Sequence, residues 1–234
     1  MKKLLVIFGL LTVFCFGFCC SFNFNTFKQT VQKQDTQQDY ELYKTVGQLY
    51  VNMSLIPVPA VSATGFAIDE DYIVTATHFC LFVLKNQMSG YLDKNIFMNY
   101  LDGQEIKTKT GFRIVKMDVD YDLCLIKGKG HGLKPVEFYS EFDRLRIGDV
   151  VQVVGAPLGV FPVLTEGRVV SLNMSSSLSK YATFFFSADV TGGNSGGPIF
   201  YKGKLVGVVL GGAQKYTKIS VGVSVDNLVD FLEK

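Results

Sequence analysis

From about Thr45 to its end the chain alternates short apolar runs, rich in Val, Ile, Tyr and Phe, with Gly, Asp, Asn and Pro. Runs of this length and spacing predict β-strands, here at residues 47–53, 65–68, 72–76, 112–117, 123–126, 150–155, 167–172, 183–188, 205–210 and 219–225. Asp102-Gly103, between the runs 96–100 and 105–107, is the signal of a two-residue hairpin loop. Many short strands without interleaved helices predict an all-β class, barrels or a sandwich, rather than alternating α/β units. One helix is expected, at the end. Val225, Leu228, Val229 and Leu232 recur at helical spacing behind Ser224 or Asp226 as N-cap. Upstream, residues 22–44 carry Gln29, Gln32, Gln34, Gln37 and Gln38 with no apolar stripe and read as a polar linker. The pattern divides the chain into a leader at 1–21, a linker at 22–44 and a folded domain at 45–234.

The leader has its own signature. Met1-Lys2-Lys3 precedes an almost wholly apolar run at residues 4–20, and Cys19 and Ser21 offer small side chains before a cleavage after Ser21. The expectation is a signal peptide and an exported protein. The same run is about long enough to serve as an uncleaved membrane tether, and Cys19 or Cys20 is a third, lipid-modified alternative. Lys2 and Lys3 also account for the net charge of +2, so the remainder is balanced and shows no basic stripe for nucleic acid. Of the five cysteines only Cys80 and Cys124 lie beyond the leader. Two cysteines are no disulfide framework; an oxidising compartment permits one bridge between them, and the sequence does not dictate it.

The candidate chemistry centres on Ser195 in Gly192-Gly193-Asn194-Ser195-Gly196-Gly197-Pro198. A serine hydroxyl needs a base, and the base needs an orienting group. The chain offers only two histidines. His131, in Lys127-Gly128-Lys129-Gly130-His131-Gly132, reads as part of a solvated loop. His78 ends the strand run Tyr72–Ala76 and enters a turn of small residues. Asp122 opens the apolar run Asp122-Leu123-Cys124-Leu125-Ile126, where a buried carboxylate would need a partner. Asp118 and Asp120 are its rivals. A glycine at 193 leaves its N–H free to face a substrate carbonyl, with the N–H of Ser195 as a second donor. His78, Asp122 and Ser195 are the expected catalytic set, Gly193 and Ser195 the expected oxyanion hole. No metal or other cofactor is implied, since two histidines far apart and two cysteines do not make a zinc set.

These motifs, in this order, resemble those of the trypsin-like serine peptidases, and Gly155-Ala156-Pro157-Leu158-Gly159, Thr165-Glu166-Gly167-Arg168-Val169-Val170-Ser171 and Gly222-Val223-Ser224-Val225 are similar to the HtrA/Deg branch. The resemblance covers about residues 47–234. It implies two six-stranded antiparallel β-barrels with the catalytic residues between them and a C-terminal helix. It also implies protein or peptide substrates cut through an acyl-enzyme. HtrA proteins carry PDZ domains after the protease, and the chain is expected to lack one. Asn194 stands where digestive members have an Asp that pairs with a freed N-terminus, so that route of activation is not expected. Leu210-Gly211-Gly212 matches the segment that pairs the substrate as an added strand, and Asp189 falls where trypsins place the acid that selects Lys or Arg at P1. Two rival readings stay open: a protease-fold module that grips a peptide without turnover, and an envelope quality-control protein that rarely cleaves.

Overall fold

The computed structural model describes residues 37–174, 179–181, 183–212 and 218–234. The leader, with its signal-peptide and tether readings, lies outside the described residues. Among those described, no helix is long and apolar enough to cross a membrane.

The strands form two layers. The first is a seven-stranded antiparallel sheet from β1 (Val46–Met53), β2 (Ile56–Ala67), β3 (Tyr72–Ala76), β4 (Phe97–Asp102), β5 (Glu105–Lys109), β6 (Arg113–Asp118) and β7 (Leu123–Lys127), in the order β5-β4-β1-β2-β3-β7-β6. The second is a closed six-stranded barrel of β8 (Val150–Gly155), β9 (Val163–Met174), β10 (Thr183–Phe186), β11 (Pro198–Tyr201), β12 (Lys204–Gly212) and β13 (Ser220–Ser224). The all-β class with a C-terminal helix is what the chain forms. That helix, Val225–Glu233, is capped by Ser224, whose hydroxyl accepts from Asn227 N at 3.3 Å. It buries Val225, Leu228 and Phe231 in the same cluster as Val208 and Val223 of the barrel.

Three local readings change. Leu42 and Tyr43, placed by the sequence in a linker, belong to a short helix, α1 (Gln37–Tyr43), and are buried with Val46 and Phe66. The β4–β5 hairpin pairs Asp102 with Glu105, so its loop is Gly103-Gln104, one residue later than read. Gly103 takes the positive φ (62°) that the turn requires. His131 is not on a solvated loop but 1 % exposed. Its Nδ1 accepts from Leu133 N (3.1 Å) and its Nε2 donates to the Asp69 carbonyl (2.9 Å), a pairing that fixes the neutral tautomer. Burial holds this imidazole below the usual histidine range. His131 is a structural histidine, occupied on both nitrogens.

Cys80 and Cys124 form a disulfide with a Cα–Cα distance of 6.7 Å. It joins α2 (Thr77–Met88) to β7, two residues after His78 on one side and two after Asp122 on the other. Closing a loop of that length limits the unfolded chain by about 3–4 kcal/mol in the chain-entropy account.

Candidate active site

His78 is the second residue of α2, not the end of a strand in a turn. The helix escapes a pattern search because Phe79, Cys80, Leu81, Phe82, Val83 and Leu84 follow one another without a polar face. Phe79, Cys80 and Val83 are buried, whereas Leu81 and Phe82 stay exposed. The N-cap, Ala76, has no side chain to satisfy the first N–H groups. Asp122, in the turn that leads into β7, supplies the acceptors. Its carbonyl accepts from Thr77 N (3.1 Å) and its carboxylate Oδ1 from His78 N (2.9 Å). A carboxylate at a helix N-terminus also meets the positive end of the helix dipole.

The other oxygen of the same carboxylate, Oδ2, lies 2.8 Å from His78 Nδ1. Asp122 thus holds both the backbone and the ring of His78. Its side chain is 9 % exposed and that of His78 52 %, so a nearly buried acid orients a ring that is open to solvent. Asp122 sits at φ 56°, a left-handed conformation that Asp tolerates better than most side chains. Of the rival acids, Asp120 pairs with Lys180 (3.1 Å) and Asp118 accepts from the backbone N–H groups of Asp120 and Tyr121.

Gly196 seats the Ser195 turn against the end of β3, the strand that leads into His78. A Cβ on Gly196 would collide with Ala76 N and Thr75 Oγ1, so only glycine lets the serine turn pack against the strand end that leads to His78. The Ser195 hydroxyl donates to the Leu210 carbonyl at 3.2 Å rather than to His78. Leu210 is the buried residue of β12 from which Gly211 and Gly212 run outward to the surface.

Each peptide of the serine turn is tied down. Leu158 N donates to Gly192 O (2.7 Å), Asn194 N to Thr191 O (3.1 Å) and Gly197 N to Asn194 O (2.9 Å). Gly193 has φ 101° and packs so closely on the Ala156 carbonyl that a Cβ there would clash. Among the described residues, neither Gly193 N nor Ser195 N donates to a backbone acceptor. Leu158 itself sits at φ 51° and is 81 % exposed, an unusual conformation for an aliphatic residue, and its amide is what anchors Gly192. The sequence singled out residues 155–159 by resemblance but gave Leu158 no role.

Asp189 is exposed, and its backbone carbonyl accepts from Thr165 Oγ1 (3.0 Å). The next residue, Val190, lies beside the end of β12: a Cβ on Gly212 would stand 3.6 Å from its carbonyl oxygen. The structure therefore brings His78, Asp122, Ser195, Gly193 and Leu210 into one region, and leaves Asp189 at the surface with no ion pair among the described residues.

A closed six-stranded barrel, a second antiparallel sheet and a C-terminal helix together define the trypsin-like class of fold. The comparisons agree with it. The trypsin-like peptidase domain profile matches residues 63–208, and the chain belongs to that family of serine protease hydrolases. Among curated relatives it is 26% identical over 182 residues to the "Probable periplasmic serine endoprotease DegP-like" of Hahella chejuensis, which covers 74% of this chain and 35% of that protein. It is 31% identical over 177 residues to the protein of the same name in Chlamydia trachomatis, covering 73% of this chain and 32% of that one. The chain spans about a third of the length of these relatives. Among solved structures, that of Deg5 superposes with a TM-score of 0.67 at 23% identity, over 88% of this chain and 92% of the other.

Proposed function

We propose that this chain is a serine endopeptidase in which Ser195 attacks the scissile carbonyl, His78 carries the proton and Asp122 orients the imidazole. One observation supports the reading above the rest: the Asp122 carboxylate binds Nδ1 of an open histidine ring at 2.8 Å while its other oxygen pins the backbone beneath that ring. The proton then resides on Nδ1, and Nε2 is the free base for a serine hydroxyl. In the resting arrangement that hydroxyl is parked on the Leu210 carbonyl. Turning about its χ1 bond to Nε2 frees the carbonyl for the N–H of an incoming substrate strand, so binding and activation of the nucleophile are coupled. The N–H groups of Gly193 and Ser195 receive the oxyanion. The imidazolium returns its proton to the leaving amine, and water hydrolyses the acyl-enzyme by the same relay.

A fluorophosphonate probe tests the reading. Ser195 is expected to be labelled, because the probe reports a hydroxyl that a neighbouring base has activated. Folded protein that takes no label from about pH 5 to about pH 9 would instead favour the peptide-gripping module, which needs no nucleophile.

Gly211 and Gly212 are read as the rail on which the substrate backbone pairs. An exposed carboxylate with no ion pair among the described residues is what a basic P1 side chain would meet, and we extend the proposal to Asp189 as a selector of Lys or Arg. Asp189→Ala is then expected to lower kcat/KM for Lys at P1 by about tenfold or more while sparing Val at P1. Identical Lys-to-Val ratios in the two proteins would remove Asp189 from the recognition site.

A further inference from the structure

The oxyanion reading raises a mechanical question. Gly192 and Gly193 are consecutive glycines, and a peptide between glycines rotates at little steric cost. Were the Gly192–Gly193 peptide to turn over, the Gly193 N–H would leave the site. The carbonyl of that peptide, Gly192 O, is taken by Leu158 N at 2.7 Å; a second device must hold the carbonyls that follow, Gly193 O and Ser195 O, or the turn can shift about that one bond.

We propose that Thr64 is that device: a positioning residue that fixes the Gly193–Ser195 turn in the conformation that presents its two N–H groups. Thr64 lies on β2 and is 0 % exposed. Its hydroxyl donates to Gly193 O at 2.7 Å and accepts from Ala156 N at 3.0 Å. Its backbone N donates to Ser195 O at 3.0 Å. One residue thus brackets the turn, by side chain at Gly193 and by main chain at Ser195, and ties it to the segment whose Leu158 amide holds Gly192. The Thr64 carbonyl is itself held by the Thr75 hydroxyl at 2.7 Å, and Thr75 is also 0 % exposed. A buried relay of hydrogen bonds therefore runs from β3, the strand that leads into His78, through β2 to the serine turn. Such chains are mutually reinforcing in a low-dielectric interior.

The chemistry asks for this residue type. The group at 64 must donate to one partner and accept from another at the same time, which a hydroxyl does and a methyl does not. Branching at Cβ restricts χ1, so the hydroxyl is aimed rather than free to turn. The methyl is used as well: a Cβ on Gly197 would come within 3.1 Å of Thr64 Cγ2. Thr64 is fully buried, and its side-chain partners are Gly193 O and Ala156 N, so its effect acts through the turn.

The inference rests on the oxyanion role proposed for Gly193 and Ser195, and the test separates the two. In the full chain, Thr64→Val is expected to lower kcat for a cleavable peptide by about 10- to 100-fold with KM within about threefold of wild type. Affinity for a peptide boronic acid, which presents a tetrahedral oxyanion mimic, should fall by a similar factor, while affinity for the unreactive peptide of the same sequence holds. Thr64→Ser, which restores the hydroxyl, should recover kcat to within a fewfold. If Thr64→Val does not fold, Thr64→Cys carries the test: its weak S–H donor should give an intermediate kcat. Wild-type kcat and boronate affinity in a folded Val or Cys variant overturn the inference. So does a loss that serine fails to restore, or one that appears equally in binding of the unreactive peptide. The underlying reading fails separately, if wild type itself neither cleaves peptide nor binds boronate.

Discussion

Replacing Ser195 with alanine is expected to lower kcat on a peptide substrate by roughly 10⁴- to 10⁶-fold and to leave the folded structure in place. The two halves of that expectation have different origins. Activity falls because no other hydroxyl is held in the turn that Gly193 and Gly196 shape, and water has to replace the nucleophile. A residual rate over water survives, since the N–H groups of Gly193 and Ala at 195 remain to receive an oxyanion. Stability barely moves because the serine hydroxyl makes a single 3.2 Å bond, to Leu210 O, in a half-buried setting. The carbonyl left behind is that of Leu210, next to the partly exposed Gly211, and the change should stay within about 1 kcal/mol. The measurement is kcat beside thermal unfolding of the same preparation. An alanine variant within tenfold of wild type, freed of contaminating protease, would show that Ser195 is not the nucleophile.

What the sequence made legible was periodicity and pairing of rare residues. The strands at 47–53, 72–76, 123–126 and 150–155 follow from apolar runs bounded by turn residues, and the structure forms strands there. With only two histidines in the chain, the base had few candidates, and Asp122 was marked by the cost of burying a charge at the mouth of an apolar strand. The failures have physical reasons. The helix that carries His78 is apolar on all sides because its inner face packs on the first sheet while Leu81 and Phe82 stay exposed, so no 3.6-residue contrast appears. His131 sits among glycines and lysines, which signal solvent, yet its ring turns inward to the Asp69 carbonyl, a contact from 62 residues away. The first third of β2, Ile56-Pro57-Val58-Pro59, was hidden by its prolines, which cannot donate to a ladder; those residues are exposed, where that omission costs little.

Thr64 shows the deeper limit. In the sequence it is one threonine before Gly65-Phe66, with nothing to distinguish it from its neighbours. Its meaning lies in partners 92 and 129 residues away, Ala156 and Gly193. The candidates for chemistry stand out in the sequence because their types are rare and their spacing recurs. Motif reading missed the groups that hold them, because any residue able to donate and accept would serve. The disulfide is intermediate. Both cysteines were visible, each two residues beyond His78 or Asp122, but only the fold shows them bonded, joining α2 to β7.

Asp122→Asn should lower kcat by about 10⁴-fold near neutral pH, more than the loss of one charge in a solvated site would suggest. The reason is the double role of the carboxylate. Oδ1 accepts from His78 N and Oδ2 faces His78 Nδ1, so both oxygens act as acceptors. An amide has one acceptor and one donor. With its oxygen on the backbone N–H, its NH₂ faces Nδ1, which must then accept; the ring proton moves to Nε2, and the imidazole presents a donor to Ser195 where a base is needed. With the amide reversed, two donors meet at the helix N-terminus, and the anchoring of the first turn is lost. Neither orientation restores wild-type chemistry. Asparagine is the informative replacement because it tolerates the left-handed backbone at φ 56°, whereas alanine would add strain there. Raising the pH should not rescue the rate to the wild-type level, because the defect is the tautomer and not only the protonation state. Nitrogen-15 chemical shifts of the His78 ring check this directly: Nδ1 should be the protonated nitrogen in wild type and Nε2 in the variant. A variant that keeps the Nδ1–H tautomer and most of its activity would show that Asp122 serves the helix and not the reaction.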